Sequence, residues 1–402
     1  MSIFKIRIAA VSVLVCAVVL LPAGCKKREE PRGRTGSILY FSFLGGSSSQ
    51  GTDGPLVKNF GEETGTAVTR NAVMPADVLT RKKGYLSGTQ TPDVITWIKT
   101  GEDSELAGEN LFLDLGELWK EEGWLQEFPP ALAGACRAGN VAYMVPFAAD
   151  TWKIYYRKSL FAAHAVDVPR SWEDFLHTCK VLRDAGISPV SVGAKFRWPA
   201  SLWLEYINIR LNGSSFHHDL LRGTIPFHRE KMEKTLRSFA KLVEMGVFIP
   251  DSMELSWASA LRAFLEEEGA MYLFNDSILN SLPPEVESDL GSFPFPLILP
   301  QAPLTQLGTV QGWVVPRSAQ NTDGALQFLR FCGSESGREG LESFPAAGLL
   351  EGGDTILPEL NRLARPVLRG AFLDGTEALL RDPSEKSISL VLNLMEQAWI
   401  SP

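Results

Sequence analysis

Val141-Ala-Tyr-Met-Val-Pro146-Phe-Ala-Ala-Asp150-Thr-Trp-Lys-Ile-Tyr-Tyr-Arg157-Lys-Ser-Leu-Phe161 opens the stretch that decides the fold. Pro169-Arg-Ser-Trp-Glu-Asp-Phe175 and Asp184-Ala-Gly-Ile-Ser-Pro-Val-Ser-Val-Gly193 complete it. An apolar segment, a Pro break and a second apolar segment rich in Tyr predict two extended pieces in series. Ser171, with Asp174 three residues on, predicts a capped helix start. Trp172, Phe175, Leu176, Cys179 and Leu182 then share one helical face. Gly186 stops the helix, and Pro189 to Val192 returns as a strand.

Towards the N-terminus, Ser37 to Phe43 reads as a strand and Leu44 to Gly54 as a Gly/Ser-rich loop. Pro55 fits the first turn of a helix to Thr64. Ala67 to Val73 is a second strand, Pro75 to Ser87 a second helix and Pro92 to Trp97 a third strand. Such a β-α-β-α-β run predicts a parallel sheet. The loop lacks Gly-Lys-Ser/Thr and is no nucleotide-phosphate loop. Ligands of such sheets sit outside the carboxyl ends of strands, which are reached at Phe43 to Ser47 and at Trp97.

Towards the C-terminus, Leu111 to Trp124 is acidic and amphipathic, and Phe196 to Leu211 is aromatic. Lys231 to Gly246 and Trp257 to Glu268 read as amphipathic helices. Gly269 to Asn275 reads as a strand, Asp323 to Cys332 as a helix, and the tail to Trp399 as helical.

At 402 residues the chain is too long for one ordinary core, so two lobes are expected. Hydrophobic content of 45% with 21% charge is that of a globular protein. A net charge of −8 argues against nucleic acid or an anionic lipid surface as partner. Lys5 and Arg7 precede an apolar run from Ile8 to Leu21, of a length suited to a signal peptide and short for a spanning helix. Leu21-Pro-Ala-Gly-Cys25 resembles a lipobox, which implies a signal peptide over 1–24 and lipidation of Cys25. A charged tether follows to about 35. Cys136, Cys179 and Cys332 then remain, an odd set with no close spacing. Cys179 and Cys332 fall on apolar helical faces, as buried inert thiols do.

The central stretch carries a family resemblance. Pro146 between apolar segments, Tyr155-Tyr-Arg-Lys-Ser-Leu-Phe161, Pro169-Arg-Ser-Trp-Glu-Asp-Phe175 and Leu182 to Pro189 occur in the order typical of one family. They resemble the extracellular solute-binding proteins of bacterial ABC importers, in the carbohydrate group (family 1) that includes maltose-binding protein. Arg157 stands where that group usually has Asn, Ala138-Gly-Asn140 where it has Asp-Gly-Lys, and Asn275-Asp276 where it has Gly and Trp. The resemblance spans about residues 36 to 400. It implies an α/β, two-lobed periplasmic-binding-protein fold of type II, with discontinuous lobes and a hinge. The N-terminal lobe would be 36–147 plus 308–345, and the C-terminal lobe 148–307 plus 346–402. Crossings are expected near 146–149, 305–308 and 344–347. It further implies a lipid-anchored subunit on the outer face of a membrane, with a carbohydrate ligand and an ABC permease as partners and no cofactor.

A sugar pocket needs flat aromatic platforms and groups that exchange hydrogen bonds with hydroxyls. The candidates are Trp97, Trp152, Trp198, Trp203, Trp257 and Trp313, with Asp150, Asn275, Asp276, Gln311, Ser47 and Ser48. Trp172 is expected in the core, and Trp119, Trp124 and Trp399 in packing or at the surface. His217-His218-Asp219 with His228 is the one metal-like cluster, and reads as a surface turn in a loop. No zinc-protease, nucleophile-elbow or Walker motif is present. Two alternatives stay open at this point: a membrane-anchored glycan hydrolase using carboxylates, and a binding-fold lipoprotein acting as adhesin or sensor for a protein partner.

Overall fold

β1 (Ser37–Ser42), β2 (Ala67–Ala72) and β3 (Val94–Ile98) pair in parallel, in the order β2–β1–β3. A helix at Gly54–Thr64 joins the first two, with a Pro in its first turn and Gly65 ending it at φ 70°. The single helix expected over Pro75–Ser87 is two, Pro75–Thr80 and Lys82–Ser87. Arg81 leaves helical geometry at φ −122° and ψ 26°. The computed structural model describes residues 36–45, 52–339, 341 and 355–401. The expected signal peptide, tether and crossing near 344–347 fall outside the described residues.

A short hairpin of β4 (Arg137–Ala138) and β5 (Val141–Ala142) leads into β6 (Val145–Arg157). Here the two extended pieces expected around Pro146 are one 13-residue strand. Opposite lies β10 (Thr305–Val314), which follows β7 (Ser188–Ser191), β8 (Gly269–Asn275) and β9 (Leu290–Phe293) in the chain; β11 (Thr355–Leu357) comes last. Gly312 opposes Pro146 and Gln311 opposes Ala148, so Phe147 is an extra residue on β6. Such a bulge takes up a Pro, whose missing N–H would otherwise leave a gap in the ladder.

The sheet runs β2–β1–β3–β10–β6–β8–β7, with β11 beside β10 and β9 beside β6. β10 is antiparallel to β3 and β6, β6 is antiparallel to β8, and β7 is parallel to β8. Two buried apolar clusters form on it. The first gathers Tyr40, Phe60, Trp97, Trp119, Val145, Val310, Trp313 and Phe328. The second gathers Ile154, Phe175, Trp203, Tyr206, Phe239, Tyr272, Leu307 and Phe372. β6 and β10 give residues to both. Between them, Ala148, Ala149 and Asp150 are half-buried.

The central stretch explains its own details. Ser171 and Asp174 form a reciprocal capping box, Asp174 N–H to Ser171 Oγ at 3.1 Å and Ser171 N–H to Asp174 Oδ2 at 3.0 Å. Phe175, Cys179 and Leu182 of helix Trp172–Asp184 point inward. Arg157 is buried and clamps three segments. It donates to Asp289 Oδ2 at 2.6 Å, to Glu267 Oε1 at 2.9 Å and to the Leu265 carbonyl at 2.8 Å. An Asn could not span these partners.

The His217-His218 segment is a helix, Ser214–Arg222, and not the loop expected from sequence. His217 is fully buried, 2.8 Å from Asn208 Nδ2 through Nδ1 and 3.8 Å from Glu205 Oε2 through Nε2. Burial holds its pKa down to about 3, so it is neutral. Among the described residues no group of three or more His, Cys, Asp or Glu is placed to hold a metal ion. Cys136, Cys179 and Cys332 are all free and buried.

Candidate functional site

Strand ends converge on the crossing of β6 and β10. β3 ends beside Gln311, which opposes Ile98. β8 ends at Asn275, which opposes Trp152, and β7 runs parallel to β8 so that it ends on the same side. Asp150 opposes Thr309 at the middle of the crossing. Carboxyl ends of strands from both apolar clusters therefore open towards one place, where α/β sheets bind ligands.

An aromatic wall stands there. The Trp152 ring lies 5.3 Å from Phe274 and 5.7 Å from Trp198, both edge-on. Trp257 stacks on Phe274 at 5.7 Å and 23°, and Tyr272 stacks on Phe274 at 5.2 Å and 11°. The wall is buried at its root, with Trp152 at 7% exposure, and open at its edge, with Trp257 at 40%; Phe196, two residues before Trp198, is 56% exposed. Open apolar rings in an otherwise buried cluster mark a contact surface.

Local sequence sets this edge. Ser256 caps helix Trp257–Leu265 by accepting from Ser259 N–H at 3.0 Å, which puts Trp257 at the first helical position. Trp198 likewise opens helix Trp198–Asn212, with Pro199 in the first turn. The two loops are tied by Ala194 N–H to the Ser252 carbonyl at 2.7 Å and by Lys195 N–H to the Leu255 carbonyl at 3.1 Å. Gly193 lies against the Ser256–Trp257 peptide, and any Cβ there would strike it. Arg197 sits at φ 63°, a left-handed conformation costly for an L residue, and its side chain pairs with Asp374 and Glu377.

The polar groups lie beside the wall. Asp150 Oδ1 accepts from Asp276 N–H at 2.8 Å. Burial pushes the Asp150 carboxyl up to about 6, and the nearby Asp276 and Glu359 carboxylates add to the rise. Asp276 Oδ1 meets Lys153 Nζ at 2.9 Å and Tyr155 Oη at 2.6 Å. Arg362 donates to Thr309 Oγ1 and meets Glu359 Oε1 at 3.2 Å. Asn275 Oδ1 accepts from Ser277 Oγ at 2.6 Å, and Gln311 is half-buried opposite Ala148.

Of the residues singled out from sequence, Trp152, Trp198, Trp257, Asp150, Asn275, Asp276 and Gln311 gather at this crossing. Trp97, Trp203 and Trp313 do not present a face to it. Trp97 is 0% exposed and packs edge-on against Phe112 at 5.5 Å. Trp203 is 0% exposed between Phe175, Phe248 and Phe295. Trp313 is 1% exposed, and its Nε1 donates to Tyr40 Oη at 3.2 Å. Ser47, Ser48 and Cys25 lie outside the described residues. Trp119 and Trp124 are core residues that meet edge-on at 6.2 Å. Phe196 and Phe274 were missed, although each lies within a segment already noted, beside a marked Trp or Asn. Arg362 and Glu359 carried no signal, because only the fold brings them to β10.

A family model described as bacterial extracellular solute-binding protein matches residues 45–339. An uncharacterized ABC transporter extracellular-binding protein of Pyrococcus horikoshii is 23% identical over 56% of this chain and 50% of its own length. A multiple sugar-binding protein of Streptococcus mutans is 21% identical over 75% of this chain and 68% of its own. The chain spans about half the length of the first relatives it matches. Among solved structures, the solute receptor AcbH, described as preferring β-D-galactopyranose, superposes with a TM-score of 0.82 at 20% identity, over 90% of this chain and 98% of that one. A probable secreted solute-binding lipoprotein from Streptomyces coelicolor gives 0.74 at 19%, over 91% and 99%. The mixed α/β fold is thus that of the periplasmic-type solute-binding proteins, a family of binding proteins and not of enzymes. With the family match covering well over half of its length, the chain belongs to the bacterial extracellular solute-binding protein family.

Proposed function

We propose that this protein is the carbohydrate-capturing subunit of an ABC importer, anchored outside the membrane by lipid on Cys25. The observation that carries this reading is the aromatic wall of Trp152, Phe274, Trp198 and Trp257 beside Asp150 and Asp276 at the strand crossing. Sugars offer C–H faces to rings and hydroxyls to carboxylates, and this wall offers both. The sugar-binding descriptions of the galactopyranose receptor and of the Streptococcus relative support it. The protein performs no chemistry on its ligand and hands it to the permease.

The chain is assigned to two lobes, 36–147 plus 308–345 and 148–307 plus 346–402, which divide the two apolar clusters except at Ile356 of β11. The solute closes them by rotation about the crossing, and stabilises the closed form through contacts made only there. Thermal unfolding of the protein against a panel of neutral mono- and oligosaccharides tests the reading. A ligand at about 100 times its Kd adds roughly 2.7 kcal/mol, an easily seen rise in Tm. The rise is expected for a saccharide and is lost in Trp257→Ala. A panel with no saccharide response would sink it. Replacing Cys25 by Ala should move the protein from the membrane to the soluble fraction, and unchanged fractionation would refute the anchor.

A further inference from the structure

We propose, resting on the carbohydrate reading, that the site takes neutral or amino-bearing saccharides and rejects anionic ones, with Asp150 as the specificity-determining acceptor. The argument is an inventory of donors and acceptors at the crossing. Asp150 Oδ1 has one donor, the Asp276 N–H, and Oδ2 has none among the described residues. Glu359 Oε2 is buried and likewise without a donor. Asp150 Oδ2 therefore waits for a hydrogen, which a ligand rich in O–H or N–H supplies, while the buried Glu359 oxygen adds negative charge behind it.

Three of the basic groups are already committed. Lys153 holds Asp276 at 2.9 Å, Arg362 holds Glu359 and Thr309, and Arg197 holds Asp374 and Glu377. Lys99 has no carboxylate partner, only the Tyr143 hydroxyl 3.5 Å from its Nζ, and burial lowers its pKa and so works against its charge. Lys195 is exposed beside Phe196, where hydration and salt leave a point charge little pull on an anion. A uronate or phosphorylated sugar would bring a negative charge and further acceptors to a place that has a surplus of both. Like-charge contact in a partly desolvated cleft is how binding sites exclude a close analogue. The raised carboxyl of Asp150 fits this inventory, since nearby charge and burial already resist its ionisation.

The test is a calorimetric titration of the protein with glucose and galactose scaffolds, each as the neutral sugar, the uronic acid and the 2-amino-2-deoxy sugar. For the scaffold that binds, the uronate is expected at least about tenfold weaker than the neutral form, and the amino sugar at least as tight. Asp150→Asn should weaken the neutral sugar and shrink the neutral-to-uronate gap to below about threefold. Its circular dichroism and Tm would show that it folds. A uronate that binds as tightly as the neutral sugar, or an unchanged gap in Asp150→Asn, overturns this inference and leaves the carbohydrate reading standing. No binding of any charge form overturns both.

Discussion

Two pairs of tryptophans teach opposite lessons. Trp97 and Trp313 lie in central strands of the first cluster, and Trp198 and Trp257 open helices at the edge of the second. Trp97 and Trp313 sit near the carboxyl ends of their strands. β3 is buried along its whole length because its sheet is covered on both faces, so Trp97 has no free side. Trp313 is enclosed by Tyr40 and by Phe147, its ring 4.7 Å from the latter. Trp257 opens its helix at the edge of the second cluster, which leaves it at 40% exposure. Among these four, place in a covered strand or at the opening of an edge helix separates core from platform, and residue type does not.

The sharpest way to break this comparison is truncation. Trp97→Ala or Trp313→Ala should cost about 3–5 kcal/mol of stability, by urea unfolding, as for large core aromatics. Trp257→Ala should cost only about 1 kcal/mol and yet weaken saccharide binding at least tenfold. If Trp257→Ala proved the more destabilising, the division into core and platform would be wrong.

Arg157 asks what holds the second cluster's edge. Its guanidinium joins the end of β6 to Asp289, Glu267 and the Leu265 carbonyl, the last of these closing helix Trp257–Leu265. Arg157→Ala strands that carbonyl and leaves Asp289 with Ser159 alone as donor, and should cost about 2–3 kcal/mol in the same unfolding assay. Arg157→Lys restores the charge without the fork and should recover less than half. Full recovery by Lys would show that charge alone matters.

Gly193 offers a smaller and more local test. Its backbone lies on the Ser256–Trp257 peptide, so Gly193→Ala pushes apart the loops that carry Trp198 and Trp257. A loss of about 1–2 kcal/mol is expected, with a fall in saccharide affinity and little change in Tm-independent measures of secondary structure. Unchanged affinity would mean that the two rings act separately.

Much of this was legible in the chain. The parallel sense of β1, β2 and β3 followed from Pro55, Pro75 and the apolar runs between them, though their order did not, and the capping box followed from Ser171 and Asp174 alone. Local signals of that kind are short-range. The bulge at Phe147 was not legible, because it depends on the register against Gly312, well over a hundred residues away. His217 misled for the same reason. A His pair beside an Asp looks polar, but Glu205 and Asn208 on the neighbouring helix bury it. At the site, the aromatic and acidic candidates were visible one by one. Which of them share a wall depended on loop contacts through Gly193 that no periodicity encodes.

The smallest expected effect concerns pH, and it contrasts Asp150 with an ordinary paired aspartate. In the native protein its carboxyl keeps its proton up to about pH 6, chiefly because burial disfavours the charge. In the unfolded chain it releases that proton near pH 4. Between these values the native state binds more protons, so stability falls as pH rises through the window. Lys153 and Arg362 oppose the trend, while Asp276 and Glu359 reinforce it. The shift sets a ceiling of roughly 2.7 kcal/mol, and solvent at this half-buried site reduces it to about 1 kcal/mol. Urea midpoints of the wild type and Asp150→Asn, compared from about pH 4 to about pH 7, isolate the effect. The difference should grow in favour of Asn as pH rises and level off above about pH 6. A neutral saccharide that donates to Asp150 would reverse the sign, since it stabilises the ionised form. A difference that is flat with and without saccharide would remove Asp150 from the binding wall and leave the platform to the rings alone.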